Sequence, residues 1–167
     1  MATKAAVSEE EYLRTSFPDV DPEFRDGEIL ERSWPDYYHG KVQLNIGVFC
    51  KSHQKTHPLF ASSETRVRIR PGRYAIPDVA VFWPDEPRTR VPEARPLIVV
   101  EILSPDDRMS QVREKLREYL DWGVPHIWLV DPEARVLYEF GHDGLHEVQF
   151  YRIPEAGLEV TAADIFD

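Results

Sequence analysis

Cysteine is nearly absent. Cys50 is the only one in 167 residues, which excludes an intramolecular disulfide and a zinc site built on a cysteine cluster. A lone thiol is compatible with a reducing compartment. Also missing is any apolar run near the roughly 20 residues that a membrane helix needs. The opening Met1-Ala-Thr-Lys-Ala-Ala-Val7 lacks the apolar core of a signal peptide. The expectation is a protein of the cytoplasm with no membrane partner. Excess positive charge is missing too: 20 Lys and Arg stand against 30 Asp and Glu, for a net charge of −10. That excludes tight, non-specific polyanion binding by the whole surface. It leaves room for a local basic patch and suits a carboxylate-lined cation site. There is no Walker-type glycine loop, no Gly-x-Ser-x-Gly elbow and no catalytic-cysteine context.

No internal repeat, low-complexity tract or linker interrupts the chain, so residues 1–167 read as one domain. Its parts are an N-terminal helix and strand extension (1–37), a core (38–140) and C-terminal strands (141–167). Ser8-Glu-Glu-Glu11 has the form of a capping box and opens a short helix to about Thr15. Asp26-Gly27 leads into a strand at Glu28-Ile-Leu-Glu31. A helix follows from about Tyr38 to His53, with Val42, Ile46, Phe49 and Cys50 on one face and His39 and His53 at its ends. From Phe60 to Arg70 the chain has strand character, and Val67 and Ile69 alternate with Arg66, Arg68 and Arg70. Pro71-Gly72 turns into a strand over Ala75 to Trp83, so a hairpin is expected. After a proline-rich loop comes Leu97-Ile-Val-Val-Glu-Ile-Leu103, in which Glu101 is the only residue that is not aliphatic. Ser104-Pro-Asp-Asp107 reads as a helix start, with the helix ending at Gly123. Strands at 127–130, 136–140 and 148–152 complete an α/β order: a mixed central sheet flanked by helices.

The chemistry centres on acids set in apolar strands. An ionised carboxylate at Glu101 is costly unless it is paired or binds a cation. Asp78 stands at the mouth of the preceding apolar strand. If the two strands are neighbours, these acids offer hard oxygen ligands for Mg2+ or Mn2+, an ion able to polarise a phosphodiester. The alternative is that Asp78 caps its strand and Glu101 pairs with an arginine. Lys115 lies at the edge of the apolar stripe Met109, Val112, Leu116, Tyr119 and Leu120, so its ammonium can reach Glu101 while Gln111, Glu114 and Glu118 point away. It either stabilises a phosphorane-like charge or merely snorkels. His39 is a candidate for binding phosphate, or a packed core histidine. Glu28 is a weaker candidate for a supporting role. Arg66, Arg68, Arg70 and Arg73 form the densest basic cluster, which either tracks a nucleic-acid backbone or is a solvated face balanced by acids. His142 and His146 flank a turn and are given no metal role. Trp83, Trp122, Trp128 and several tyrosines exceed what a small core readily hides, so a homodimer is expected.

The order helix, strand, Pro77-Asp78 strand, Glu101 strand, Lys115 helix resembles the PD-(D/E)XK nuclease superfamily. Ile76-Pro-Asp-Val-Ala-Val81, Val99-Val-Glu-Ile-Leu-Ser-Pro105, Lys115-x-x-x-Tyr119, Gly123-Val124 and Ile127-Trp-Leu-Val-Asp-Pro132 look like its Uma-two group of restriction endonucleases. Asp26-Gly-Glu28, His39, Gly157-Leu-Glu-Val and Asp164-Ile-Phe166 match as well. The resemblance implies a restriction-endonuclease-like core, a divalent metal on Asp78 and Glu101, Lys115 as third catalytic residue, and nucleic acid, DNA foremost, as substrate. The superfamily lysine two residues after the second acid is Leu103 here, and Lys115 matches the group's displaced lysine. An acid four residues before that lysine is common in the group; this chain has Gln111. The other expectations are a dimeric scaffold that keeps the nuclease fold without its activity, and hydrolysis of a small phosphoester.

Overall fold

A computed structural model of the chain describes residues 6–167. The expectation about a leader peptide rests mostly on residues 1–5, which lie outside the described residues. The elements run α1 (Glu9–Arg14), β1 (Glu23–Arg25), β2 (Glu28–Leu30), α2 (Tyr37–His53), β3 (Phe60–Ser63), β4 (Val67–Arg70), β5 (Arg73–Ala75) and β6 (Val79–Phe82). They continue with β7 (Ile98–Ile102), α3 (Met109–Trp122), β8 (His126–Asp131), β9 (Val136–Gly141), β10 (Gly144–Val148), β11 (Phe150–Ile153), β12 (Leu158–Thr161) and α4 (Ala162–Phe166). No helix among the described residues is long and apolar enough to cross a membrane.

The central sheet has the order β10-β9-β8-β7-β6-β3. Its one parallel pair, β7 with β8, is the pair joined through a helix, α3. Strand alternation sorts the core into two layers. Val79, Val81, Ile98, Val100 and Trp128 pack with Val42, Ile46 and Cys50 of α2. Ala80, Phe82, Val99, Ile127 and Leu129 pack with Leu116 and Tyr119 of α3. Both faces of β6 and β7 are therefore covered, which is why their sequences are apolar without alternation. This is the expected mixed sheet between helices.

A second, antiparallel sheet has the order β2-β1-β5-β4 and is tied to α3 through Arg25–Glu114, Arg73–Glu118 and Glu23–Lys115 ion pairs. It corrects two sequence expectations. The strand over 60–70 is two strands: β3 lies at the edge of the central sheet, β4 in the second sheet, and Glu64 between them turns with φ +50°. The strand over 75–83 also divides, because Pro77 has no N–H for a ladder. β5 closes the hairpin with β4, and β6 crosses to β3 and β7. Asp78 thus sits where the chain passes from one sheet to the other. The segment 148–152 likewise divides at Gln149 between β10 and β11.

The helix expected from Ser104 begins at Met109. Asp107 uses its carboxylate elsewhere, accepting from the Ser104 amide at 2.8 Å and the Ser33 hydroxyl at 2.6 Å. The Ser104–Asp107 segment is therefore a closed turn ahead of the helix. At the far end Gly123 adopts φ +87° as expected of a helix-terminating glycine. At the chain's start, the Ser8 hydroxyl accepts from the Glu11 amide at 3.1 Å.

Candidate active site

β6 and β7 pair antiparallel with Val79 opposite Val100. Continuing that register by one residue sets Asp78 opposite Glu101. Alternation then points Glu101 the way of Val99, toward α3. Both acids are buried, at 5% and 8% exposure, and both line a cavity of about 530 Å³ between the two sheets and α3.

Each oxygen of Glu101 has a partner on α3. Lys115 Nζ donates to Oε2 at 2.8 Å and the Tyr119 hydroxyl to Oε1 at 2.8 Å. One helical turn separates the two donors, so a single helix face fixes the carboxylate. Burial pushes Glu101 up to about 7, with the charges of Asp78 and Glu23 adding to the push and Lys115 opposing it. Lys115 has a second carboxylate, Glu23 Oε1 at 2.7 Å, and the Ile76 carbonyl at 3.1 Å. Burial alone would favour the neutral amine, but Glu101, Glu23 and Asp78 hold Lys115 above the ordinary lysine range.

Asp78 divides its contacts. Oδ2 accepts from the Ile102 amide at 2.7 Å and lies 3.2 Å from His39 Nε2. Oδ1 meets Arg32 at 3.1 Å. Burial pushes its pKa up, but His39, Lys115 and Arg32 together hold it below the usual range. Burial disfavours charge on His39, yet its contact with Asp78 raises its pKa. His39 is delivered by the first turn of α2, which Asp36 caps by accepting from the His39 amide at 2.9 Å.

Behind Glu23 stands Arg73, 2% exposed. Its Nη2 lies 2.8 Å from Glu23 Oε2 and 2.6 Å from Glu118 Oε2. Burial raises the Glu23 carboxyl, but Lys115 and Arg73 outweigh it and bring it down to about 2.

The structure therefore brings together Asp78, Glu101, Lys115 and His39. It leaves out three candidates. Glu28 is exposed on β2 and does not line the cavity. Arg66 lies 3.2 Å from Asp21 with its guanidinium over the Tyr12 ring, and Arg68 is tied to Glu9 and Glu93. With Arg70 paired to Asp26, the basic cluster is a face balanced by acids. Glu114 and Glu118 do not point away: they take Arg25 at 2.7 and 3.0 Å, and Glu118 also takes Arg73. Gln111 lines the cavity.

Glu23 and Arg32 were missed in the sequence, and Arg73, expected with the basic cluster, is instead buried against Glu23. Glu23 sits on a three-residue strand after a proline, where no periodicity develops. Tyr119 was legible as four residues from Lys115, but its apolar face assigned it to the core, which it also serves.

No set of three or more His, Cys, Asp or Glu side chains among the described residues is placed to hold a metal ion. Two buried carboxylates lining one cavity nonetheless have the hard-oxygen chemistry of a Mg2+- or Mn2+-type ion, which commonly uses one or two carboxylates and completes its shell with water.

A family model described as "Uma2: Putative restriction endonuclease" matches residues 9–166. Among solved structures, a putative nuclease from Anabaena variabilis superposes with a TM-score of 0.81 at 22% identity, covering 96% of this chain and 97% of that one. No curated protein matches the chain.

Proposed function

The chain belongs to the Uma2 family, and from that premise we propose that it is a divalent-metal-dependent endonuclease that hydrolyses phosphodiester bonds in DNA, acting in the cytoplasm. The observation that carries the proposal is Lys115 Nζ at 2.8 Å from Glu101, with Asp78 the next residue across the β6–β7 register. Asp78 and Glu101 would hold the ion, whose contribution is Lewis-acid polarisation of the phosphodiester. Lys115 supplies fixed positive charge where the attacked phosphate becomes more negative. Glu23 keeps that ammonium protonated and aimed. His39 restrains one oxygen of Asp78. Arg66 and Arg68 can meet a nucleic-acid backbone only by exchanging their present acids, and Glu28 can support the site only from outside the cavity.

The second reading is a catalytically silent scaffold, favoured by the fact that Asp78, Glu101 and Glu23 each already have a cationic partner. Cleavage of supercoiled plasmid and of single-stranded DNA with Mg2+ or Mn2+ separates the two. Wild-type cutting that disappears in Glu101→Ala supports the enzyme; no cutting of either substrate with either ion supports the scaffold.

Either reading accommodates a homodimer, and of the aromatics first expected at its surface Trp83, Tyr37 and Tyr38 are exposed whereas Trp128 is not. Trp128 is buried and stacks on Tyr151 with centroids 4.1 Å apart. Among the described residues the most exposed large apolar side chains are Trp34, Tyr37, Tyr38, Leu44 and Val48, 57–77% exposed, at and before the outer face of α2. Leu44 and Val48 line a cavity with Phe60–Ser63 of β3, which is an edge strand of the central sheet and of the kind that proteins cover. Light scattering at micromolar concentration should give twice the 19.4 kDa chain mass, and Leu44→Glu/Val48→Glu should return it to one. A wild type that scatters as a single chain disposes of the dimer.

A further inference from the structure

Arg32 lies in the irregular segment between β2 and α2, with its side chain 12% exposed. Its guanidinium spans two acids: Nη1 is on Glu64, and Nη2 is 3.1 Å from Asp78 Oδ1. Asp78 Oδ2 is saturated by the Ile102 amide and His39, whereas Arg32 is the partner found on Oδ1. Any cation that uses Asp78 from the cavity side has to compete with Arg32 for that oxygen. Displacement would not set the arginine adrift. Glu64 stays on Nη1 and is itself fixed by Gln43, which donates to Glu64 Oε1 at 2.9 Å and to the Asp78 carbonyl at 2.8 Å. The freed edge of the guanidinium would remain anchored in the wall of the same cavity.

The cavity has few other cations for an anion to meet. Lys115 is divided between Glu23 and Glu101, Arg73 is buried against Glu23 and Glu118, and Arg25 is held by Glu114 and Glu118. Arg32 is the basic side chain paired to Asp78 Oδ1, as Lys115 is to Glu101 Oε2, the two acids that the nuclease reading assigns to the ion. A planar guanidinium with five N–H donors is suited to hold one partner with one edge and a phosphate with the other.

We propose that Arg32 is the substrate-phosphate ligand of this site, latched on Asp78 Oδ1 until a divalent cation takes that oxygen. The proposal rests on the nuclease reading and adds an order: cation first, nucleic acid second. Cation and nucleic acid should then bind with positive coupling, each raising the affinity for the other by the same factor. Removing Arg32 should have opposite effects on the two ligands, which a merely structural cation would not produce.

The test uses the full chain, with Ca2+ and Mn2+ titrated by calorimetry and a fluorescent oligothymidylate followed by anisotropy. Wild type should bind the oligonucleotide at least about tenfold more tightly with Ca2+ than with chelator. Arg32→Ala should bind Mn2+ several-fold more tightly than wild type, yet lose at least about tenfold in oligonucleotide affinity with Ca2+ present. Arg32→Lys should fall between, because a point charge cannot serve Glu64 and a phosphate as a fork does. Should Arg32→Ala fail to fold, Arg32→Gln, which keeps an amide donor for Glu64, carries the same expectations. Weaker Mn2+ binding in the variants, or unchanged oligonucleotide affinity, overturns the latch even if wild type cleaves DNA. A wild type that binds neither ion nor oligonucleotide and cuts nothing overturns the nuclease reading and the latch with it.

Discussion

Arg73→Met should lower the unfolding free energy by about 3–5 kcal/mol at pH 7, the usual cost of stripping one partner from a buried ion pair. Arg73 is 2% exposed and its Nη2 serves both Glu23 and Glu118. Methionine fills much of the space but leaves Glu23, itself 4% exposed, with Lys115 as its only ionic partner. The sign of the pH dependence follows from Glu23. Its carboxyl is brought from 4.5 down to about 2 in the folded chain, so its contribution to stability is present above about 4.5 and is lost as pH falls toward 2. Without Arg73 the folded carboxyl moves back up and less remains to be lost. The gap between variant and wild type should therefore be widest near neutrality and narrow in acid. Glu23→Gln combined with Arg73→Met should recover most of the loss, since the uncompensated charge is gone. Urea titrations at pH 7 and pH 4 measure all three chains. A variant within 1 kcal/mol of wild type at pH 7 would show that Arg73 does not compensate a buried charge.

Glu101→Gln and Lys115→Ala should separate metal binding from catalysis. Glutamine keeps the volume of Glu101 and can still accept from the Tyr119 hydroxyl, while Lys115 retains Glu23. The fold should hold and both cleavage and the metal response should vanish. For wild type, a divalent ion at 100-fold its dissociation constant adds about 2.7 kcal/mol, or roughly 5–10 °C in melting temperature for a chain of this size. Lys115→Ala should lose cleavage by at least about 10²-fold, since a fixed donor to transition-state charge is gone. Its melting temperature should drop without metal, because Glu23 and Glu101 then face each other without the ammonium between them. Its rise on adding metal should equal or exceed that of wild type. Differential scanning fluorimetry with and without Mn2+, alongside plasmid cleavage, reads both. Collapse of Glu101→Gln would make Glu101 a structural ion-pair partner and remove the ion's best ligand.

The acids and Lys115 were legible because each breaks a strong local pattern: one charge in an aliphatic run, one lysine at the edge of an apolar helix stripe. The apolar runs of β6 and β7 showed two-sided burial but not which strands are neighbours; the pairing itself came from the structure. The second sheet was not legible. β1 and β5 have three residues each, too few for alternation to show, and Glu23 meets Arg73 across 50 positions of sequence. Arg73 also continued an arginine series whose other members are on the surface, which disguised it. The Ser104 motif carried a genuine cap signature, but Asp107 found a better use in closing the turn onto Ser33 and Ser104. Local chemistry predicted the residues; long-range pairing decided which of them meet.

The passage of the chain between sheets at Asp78 also bears on synthesis. During translation Glu23 and Arg32 leave the ribosome first, but β1 has no β5 to pair with until Ala75 is out, and Glu101 has no ammonium until Lys115 follows. The cavity cannot close around Glu23, Asp78, Glu101 and Lys115 before about two-thirds of the polypeptide has been made. A nascent fragment ending before Lys115 carries Glu23 and Glu101 without the ammonium that joins them, so a truncated product has no assembled site.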